Sequence, residues 1–207
     1  MEATDYLNET ESAARQIFEG LAYYRGVLDK DPRPTFVGKV DPERRDEQLA
    51  EWYEQNQEEI RQSLAAQREY LGNTFSQATL AGALLQIAYM GISMFSTNER
   101  VPENWQSSIN NGSKPARFCI GRCVKGVEVG LLIFAGRNQY NHWDEGELRN
   151  PSKAIFDRLA NHSSAYIDPA FDLSNEVLDT YSHNIVSVIG WVNYDDYLND
   201  LTLLVSD

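Results

Sequence analysis

Leu131-Leu132-Ile133-Phe134-Ala135-Gly136-Arg137-Asn138-Gln139-Tyr140-Asn141-His142-Trp143 is the stretch on which the reading of this chain turns. Its first residues are apolar on every face a helix could present, which places them inside a packed core. The run then ends abruptly in an arginine, several amides and a histidine. Packing alone gives a core helix no reason to finish with that group, so this terminus is where chemistry is sought. On a helix turning about 100° per residue, Arg137, Asn138 and His142 fall at roughly 0°, 100° and 140°. Asn138 and His142 form an i, i+4 pair, and the long Arg137 side chain reaches toward both.

Working outward, the same helix is expected to begin near residue 116 and end near 142. Gly121, Gly126, Gly130 and Gly136 recur along it. Each interior helical glycine costs about 1 kcal/mol against alanine, so close approach of a neighbouring helix or of a second subunit is the expected reason. Upstream, Ile17, Phe18, Leu21, Tyr24 and Leu28 recur at helical spacing across residues 10–28,. The prolines of residues 29–34 and Asp41-Pro42 end that helix,. Residues 44–71 read as one long amphipathic helix, with Leu49, Trp52, Tyr53, Ile60, Leu64 and Leu71 as its apolar stripe,. Gly72-Asn73 stops it, and Thr74 or Ser76 caps a following helix over 75–95 that is apolar nearly all round and is expected to be the most buried element,. Residues 97–115 read as a long loop of the kind that often carries function.

Beyond the central stretch, Pro151 opens a short helix to about residue 161,. Ser174 is expected to cap a helix carrying Val177, Leu178, Ile185 and Val188, and residues 194–204 make a last helix. No repeat and no strand pattern stands out. The expected fold class is all-α: a bundle of long antiparallel helices with short additions, in a single domain spanning 1–207. Within it, residues 1–43 form the N-terminal helix and loop, 44–162 the core helices with the Arg–His segment, and 163–207 the C-terminal helices.

Composition bounds the partners. With 18 Lys+Arg against 31 Asp+Glu, the 207 residues carry a formal charge of −13. That balance disfavours non-specific attraction to DNA or an anionic membrane, so a nucleic-acid role needs a local basic patch. The longest apolar run, 79–95, is interrupted by Gly82, Gln86 and Gly91 and does not read as a membrane span,. The acidic start, Met1-Glu2-Ala3-Thr4-Asp5, lacks the cationic flank of a secretory signal,. A cytoplasmic location is expected. Cys119 and Cys123, stacked on one face of the expected helix, read as reduced thiols,. No second Cys or His pair completes a zinc site, no Glu-x-x-His pair suggests a di-iron bundle, and no phosphate-cradling glycine loop appears. No metal and no cofactor are expected.

The chemistry open to the terminus follows from its residue types. Histidine exchanges a proton near neutrality, and arginine offers a permanent cation whose planar fork of donors fits a phosphate. Asn138 can orient the imidazole or donate to a ligand oxygen. The run Arg137-Asn138-Gln139-Tyr140-Asn141-His142 resembles the signature of the HEPN superfamily (higher eukaryotes and prokaryotes nucleotide-binding), in which an Arg is followed by a polar residue and, four to six positions after the Arg, by a His. The resemblance covers about thirty residues, 118–148. It implies an all-α fold and a metal-independent endoribonuclease of toxin–antitoxin or phage-defence type. In that picture His142 is the general acid/base, Arg137 binds the scissile phosphate and Asn138 orients them. It also implies a homodimer in which two signatures meet, RNA as substrate, and an antitoxin or other regulatory protein as a possible partner. Toxins paired with a nucleotidyltransferase antitoxin carry a Tyr two positions after the His; the residue here is Asp144, a departure from that subtype.

Arg122 and Lys125, with Arg117, are the basic residues expected to track an RNA backbone beside Arg137, and Asn141 is a further substrate-binding candidate. Arg158 and His162 read instead as cations at a helix C-terminus, and His183 as a surface residue. Tyr23, Tyr24, Trp52 and Tyr53 are spaced as core and boundary aromatics. Two other readings stand beside the nuclease: a non-catalytic HEPN-like module binding a nucleotide or a protein partner, and a plain helical interaction protein in which Arg137 and His142 are incidental.

Overall fold

In the computed structural model the described residues are 1–29, 34–36, 41–145 and 147–206. Of the break and loop expected over 29–42, residues 30–33 and 37–40 lie outside them. The architecture is all-α, with eight α-helices among the described residues: α1 (Ala3–Asp29), α2 (Arg45–Gln55), α3 (Gln57–Gly72), α4 (Thr74–Phe95), α5 (Val129–Asn141), α6 (Ser152–Ala160), α7 (Ser182–Ile189) and α8 (Tyr194–Leu204). The chain divides into two compact units, one of Met1–Leu21 with Phe75–Asp207, the other of Ala22–Thr74.

In the smaller unit, the single long helix expected over 44–71 is two helices. Asn56 separates α2 from α3, and both its backbone and its side-chain amide donate to the carbonyl of Trp52. An asparagine that can bond its own preceding turn competes with helix continuation, which is the physical reason for the break. Trp52 meets Phe36 edge-on, with ring centres 6.0 Å apart. α2 contains no buried residue and α3 only Ser63. Leu49, Tyr53, Leu64 and Leu71, expected to face a core, are exposed.

The larger unit is organised around α5. Nine of its 13 residues are buried, including every one from 129 to 136. α4 was expected to be the most buried element, yet only ten of its 22 residues are, and Phe75, Met90 and Met94 are exposed. α4 is long and apolar enough by composition to cross a membrane, with 50% of the relevant window buried inside the protein. α5 packs against α6, α7 and a 3-10 turn, Lys114–Phe118. Tyr6 of α1 donates its hydroxyl to the Ile87 carbonyl of α4 at 2.6 Å. α8 begins with a capping box in which the Asn193 side chain accepts from the Asp195 and Asp196 amides,.

The helix expected from residue 116 starts only at Val129. Before it lie the 3-10 turn and an antiparallel hairpin, β1 (Cys123–Val124) with β2 (Val127–Glu128), paired Cys123 to Glu128 and Val124 to Val127. Lys125 and Gly126 turn the hairpin with φ of 49° and 77°. Two successive left-handed residues cannot belong to a right-handed helix, and a glycine adopts that geometry without penalty. Cys119 and Cys123 therefore do not share a helix face: Cys119 is buried and Cys123 exposed on β1. Desolvation, with a smaller contribution from Glu128, pushes the Cys119 thiol up to about 12, so it stays protonated at neutral pH,.

Residues 97–115 form an ordered loop that sends Val101, Trp105 and Ile109 into the core. The Trp105 indole donates to the buried Glu128 carboxylate at 2.7 Å. The helix expected to start at Ser174 starts at Ser182. Ser174 instead bonds Asp172, and Val177 is 87% exposed. An Asp–Ser turn satisfies the local backbone without a helix, and that chemistry prevails over the apolar spacing.

The fit around α5 is close. A Cβ placed on Gly136 would lie 2.9 Å from Leu85 of α4 and 3.0 Å from Ile185 of α7. At Gly130 it would run into the backbone carbonyl of Phe118, which no rotamer change relieves. Gly130→Ala is expected to destabilise the fold by about 2–3 kcal/mol despite the gain in helix propensity, measurable as a lower midpoint in urea with an unchanged m-value.

Candidate functional site at the end of α5

Burial of α5 stops at Gly136, and the next residues divide among three directions. Arg137 turns to α4. Its Nε donates to Gln86 Oε1 at 2.8 Å, its Nη1 to Asn138 Oδ1 at 3.2 Å, and its guanidinium lies 4.6 Å from the centre of the Tyr89 ring. With the Asn141 amide turned so that its oxygen faces Arg137, that oxygen accepts from Nη2 at 3.0 Å. The cation is thus held by a neutral amide on each side and a ring face beneath, with no carboxylate among these partners.

Asn138 turns to α6, where its Nδ2 donates to the hydroxyl of the buried Ser152 at 3.2 Å. Gln139 points inward. It donates to the Asp179 carbonyl at 3.2 Å and accepts from the Tyr181 amide at 3.0 Å, fastening the end of α5 to the segment that leads into α7. A buried amide that serves both the carbonyl and the N–H of a passing backbone has both its oxygen and its nitrogen partnered, so it fixes position at little cost,.

His142 closes the helix. Its backbone N–H donates to the Asn138 and Gln139 carbonyls, and its φ of −122° leaves the helical region. The imidazole Nδ1 pairs with Glu145 Oε1 at 2.6 Å. That bond assigns Nε2 as the nitrogen facing any ligand. The ring borders a cavity of about 760 Å³ whose wall carries seven carboxylates, Asp144, Glu145 and Glu147 among them, against one lysine, Lys153. It also borders a smaller hollow of about 390 Å³ shared with Asn138 and Ser152. The arginine thus faces α4 and the histidine the acidic wall, while Asn138 bonds Arg137 and borders the smaller hollow that His142 also lines.

Of the residues nominated from sequence, Arg137, Asn138 and Asn141 come together through their side chains, whereas the His142 ring turns away from the arginine to Glu145 and the acidic wall. Arg122 and Lys125 go elsewhere, because the hairpin replaces the expected helical turn. Arg122 pairs with Asp200 of α8 at 2.8 Å, a hydrogen bond that holds its guanidinium above the ordinary pKa. Lys125 pairs with Asp168 at 3.0 Å; burial alone would raise the Asp168 pKa, but the Lys125 bond and the Ala170 amide bring it below the usual carboxylate range. Arg158 lies 5.0 Å over the Trp105 ring, and His162 Nδ1 meets the Leu159 carbonyl at 2.8 Å, closing α6. His183 is half-buried on α7. Among the described residues no group of three or more His, Cys, Asp or Glu side chains is placed to hold a metal ion.

The residues that sequence reasoning missed are Gln86, Tyr89, Gln139 and Ser152. Gln86 had a signal, as a lone amide in the apolar run of α4. Tyr89 and Ser152 had none, because an aromatic in a core helix and a serine after proline are ordinary. No known protein family, curated protein or solved structure matches this chain.

The differing attachments of the two residues predict different consequences for stability. Arg137→Ala removes the hydrogen bonds to Gln86, Asn138 and Asn141 and a ring contact and is expected to cost about 1–2 kcal/mol,. His142→Ala removes an exposed side chain and is expected to change stability by less than about 0.5 kcal/mol. Urea denaturation of both variants checks the contrast.

Proposed function

We propose that the chain is a metal-independent endoribonuclease of the HEPN type, acting in the cytoplasm as a homodimer in a toxin–antitoxin or phage-defence setting. The observation that carries this reading is the Arg137–Asn138–His142 set at the end of the core helix, with Nδ1 of His142 held by Glu145 at 2.6 Å. A carboxylate on Nδ1 orients the ring and leaves Nε2 for the substrate, the arrangement a general base needs. His142 Nε2 would take the proton of a ribose 2′-hydroxyl as that oxygen attacks the adjacent phosphorus. The bond from phosphorus to the 5′ oxygen breaks, an imidazolium returns a proton to that oxygen, and a 2′,3′-cyclic phosphate and a 5′-hydroxyl remain. Arg137 would offset the charge that develops on the phosphoryl oxygens. Asn138, bonded to both Arg137 and Ser152, would keep the arginine on its own side of the site.

A second reading rests on a different observation. The seven carboxylates beside His142 repel a polyanion, and the Arg137 donors are engaged within the chain. Both favour a non-catalytic helical module that binds a nucleotide or a protein partner, including a cationic antitoxin or regulator.

Purified wild-type protein incubated with RNA in EDTA, beside His142→Ala and Arg137→Ala, separates the two. The nuclease reading expects cyclic-phosphate ends from the wild type and at least a 100-fold loss of rate in His142→Ala, the lower range of general acid–base contributions. Equal cleavage by wild type and His142→Ala, or none by either, rejects it. A monomer by light scattering at the active concentration rejects the homodimer.

A further inference from the structure

α4, the Lys114–Phe118 turn and α5 pack on one another, and their combined composition is unusual for this chain. In a protein of net charge −13, these three elements hold Lys114, Arg117 and Arg137 and not one Asp or Glu. Glu128, which directly precedes α5, is buried at its opposite end against Trp105. The cations converge on α4. Lys114 Nζ lies 5.1 Å and Arg137 Cζ 4.6 Å from the centre of the same Tyr89 ring, so the two charges stand less than about 10 Å apart. Arg117 donates through Nη1 to the Ser93 carbonyl at 2.9 Å, one turn along α4 from Tyr89. Lys114 and Arg117 are exposed, while the residues between and beside them, Ala116 and Phe118, are buried and hold the turn.

The geometry points to a phosphate-binding path that runs from Arg137 past Tyr89 to Lys114 and Arg117, and we propose that it seats successive phosphates of single-stranded RNA. This inference rests on the nuclease reading for its RNA source and extends it by naming the residues that hold the strand away from the scissile bond. The arguments are electrostatic and steric. Three cations with no carboxylate on the elements that carry them give a local positive field in an acidic molecule, and a polyanion collects where that field is,. Tyr89 orders Arg137 and Lys114 on one ring, which lowers the entropy lost when a phosphate binds them both. The exposed Met90 and Met94 on the same helix offer adaptable apolar surface beside the path, suited to bases of any identity,. Lys114 and Arg117 are positioning residues in this scheme.

The test uses the full chain carrying His142→Ala, so that cleavage does not complicate binding. Anisotropy of a fluorescein-labelled single-stranded oligouridine is followed through a KCl titration. Each phosphate contact on a single strand contributes about 0.7 to the slope of log K against log salt. Lys114→Gln and Arg117→Gln are each expected to reduce that slope by about 0.7, and the double variant by about 1.4. Lys153→Gln, on the acidic wall, is expected to leave it unchanged, as is Arg117→Lys, which keeps the charge. Thermal melts confirm that the variants are folded.

Unchanged slopes in the double variant overturn the path, even if wild-type protein cleaves RNA. Patch-dependent binding with no cleavage by the wild type supports the path while rejecting the nuclease. Loss of ADP binding in the double variant, with oligouridine slopes unaltered, assigns the patch to a free nucleotide and overturns the strand. Failure to bind either probe overturns the proposal outright.

Discussion

Complete burial of the first eight residues of α5 is the constraint from which the rest of the larger unit follows. A helix enclosed by α4, α6, α7 and the turn before it has no room for side chains where those neighbours press closest. Gly130 and Gly136 occupy those positions. Such packing forbids rotation or sliding of the helix, so the polar residues emerging at its end have defined directions. Gln139 completes the restraint from within by bonding both groups of a passing backbone. The site proposed for phosphate and proton transfer would gain from being carried on such an element, because little reorganisation would be left for a ligand to drive.

The fold class was legible because apolar periodicity survives in most of the helices, and α4, α6 and α8 lie close to where their sequence places them. The failures share a cause. Apolar spacing records which residues would suit a helix face, whereas backbone conformation and tertiary placement decide whether a helix forms there. Residues 116–128 contain enough apolar positions to continue α5 backwards, yet Lys125-Gly126 adopts a left-handed turn and makes a hairpin. Lys-Gly between two valine-bearing dipeptides was a signal for that turn. At Asn56 and Ser174, polar side chains that bond the local backbone outweighed the surrounding pattern,. The stripe of α2 and α3 shows the converse: the periodicity holds, but Leu49, Leu64 and Leu71 remain exposed.

For the site, the legible part was the part that violates its context. Arg137, Asn138 and His142 stood out because a core helix has no use for them. What they bind to was hidden, since Gln86 and Tyr89 lie some fifty residues away along the chain and Ser152 belongs to the next helix. Linear adjacency also grouped the wrong cations. Arg117, Arg122 and Lys125 are near in sequence, but the hairpin sends Arg122 to Asp200 and Lys125 to Asp168. Arg117 stays on α4, and Lys114 joins it at the Tyr89 ring. Sequence proximity within a turn says nothing about which element each side chain will reach.

The distribution of charge around α5 gives the end of the helix a polarity. On the α4 side Arg137 rests among amides and an aromatic ring, and on the other side His142 borders a wall of seven carboxylates. A phosphodiester approaching from the wall meets repulsion at close range. On the proposed RNA reading, a strand approaching over α4 would meet Arg137, Lys114 and Arg117 before the imidazole. The same wall serves the histidine, since Glu145 holds the ring through Nδ1 and fixes its orientation,. A cationic protein seated on that wall would offset the repulsion without touching Arg137. This makes the acidic cavity and the basic path separable surfaces, joined only through Asn138 and His142.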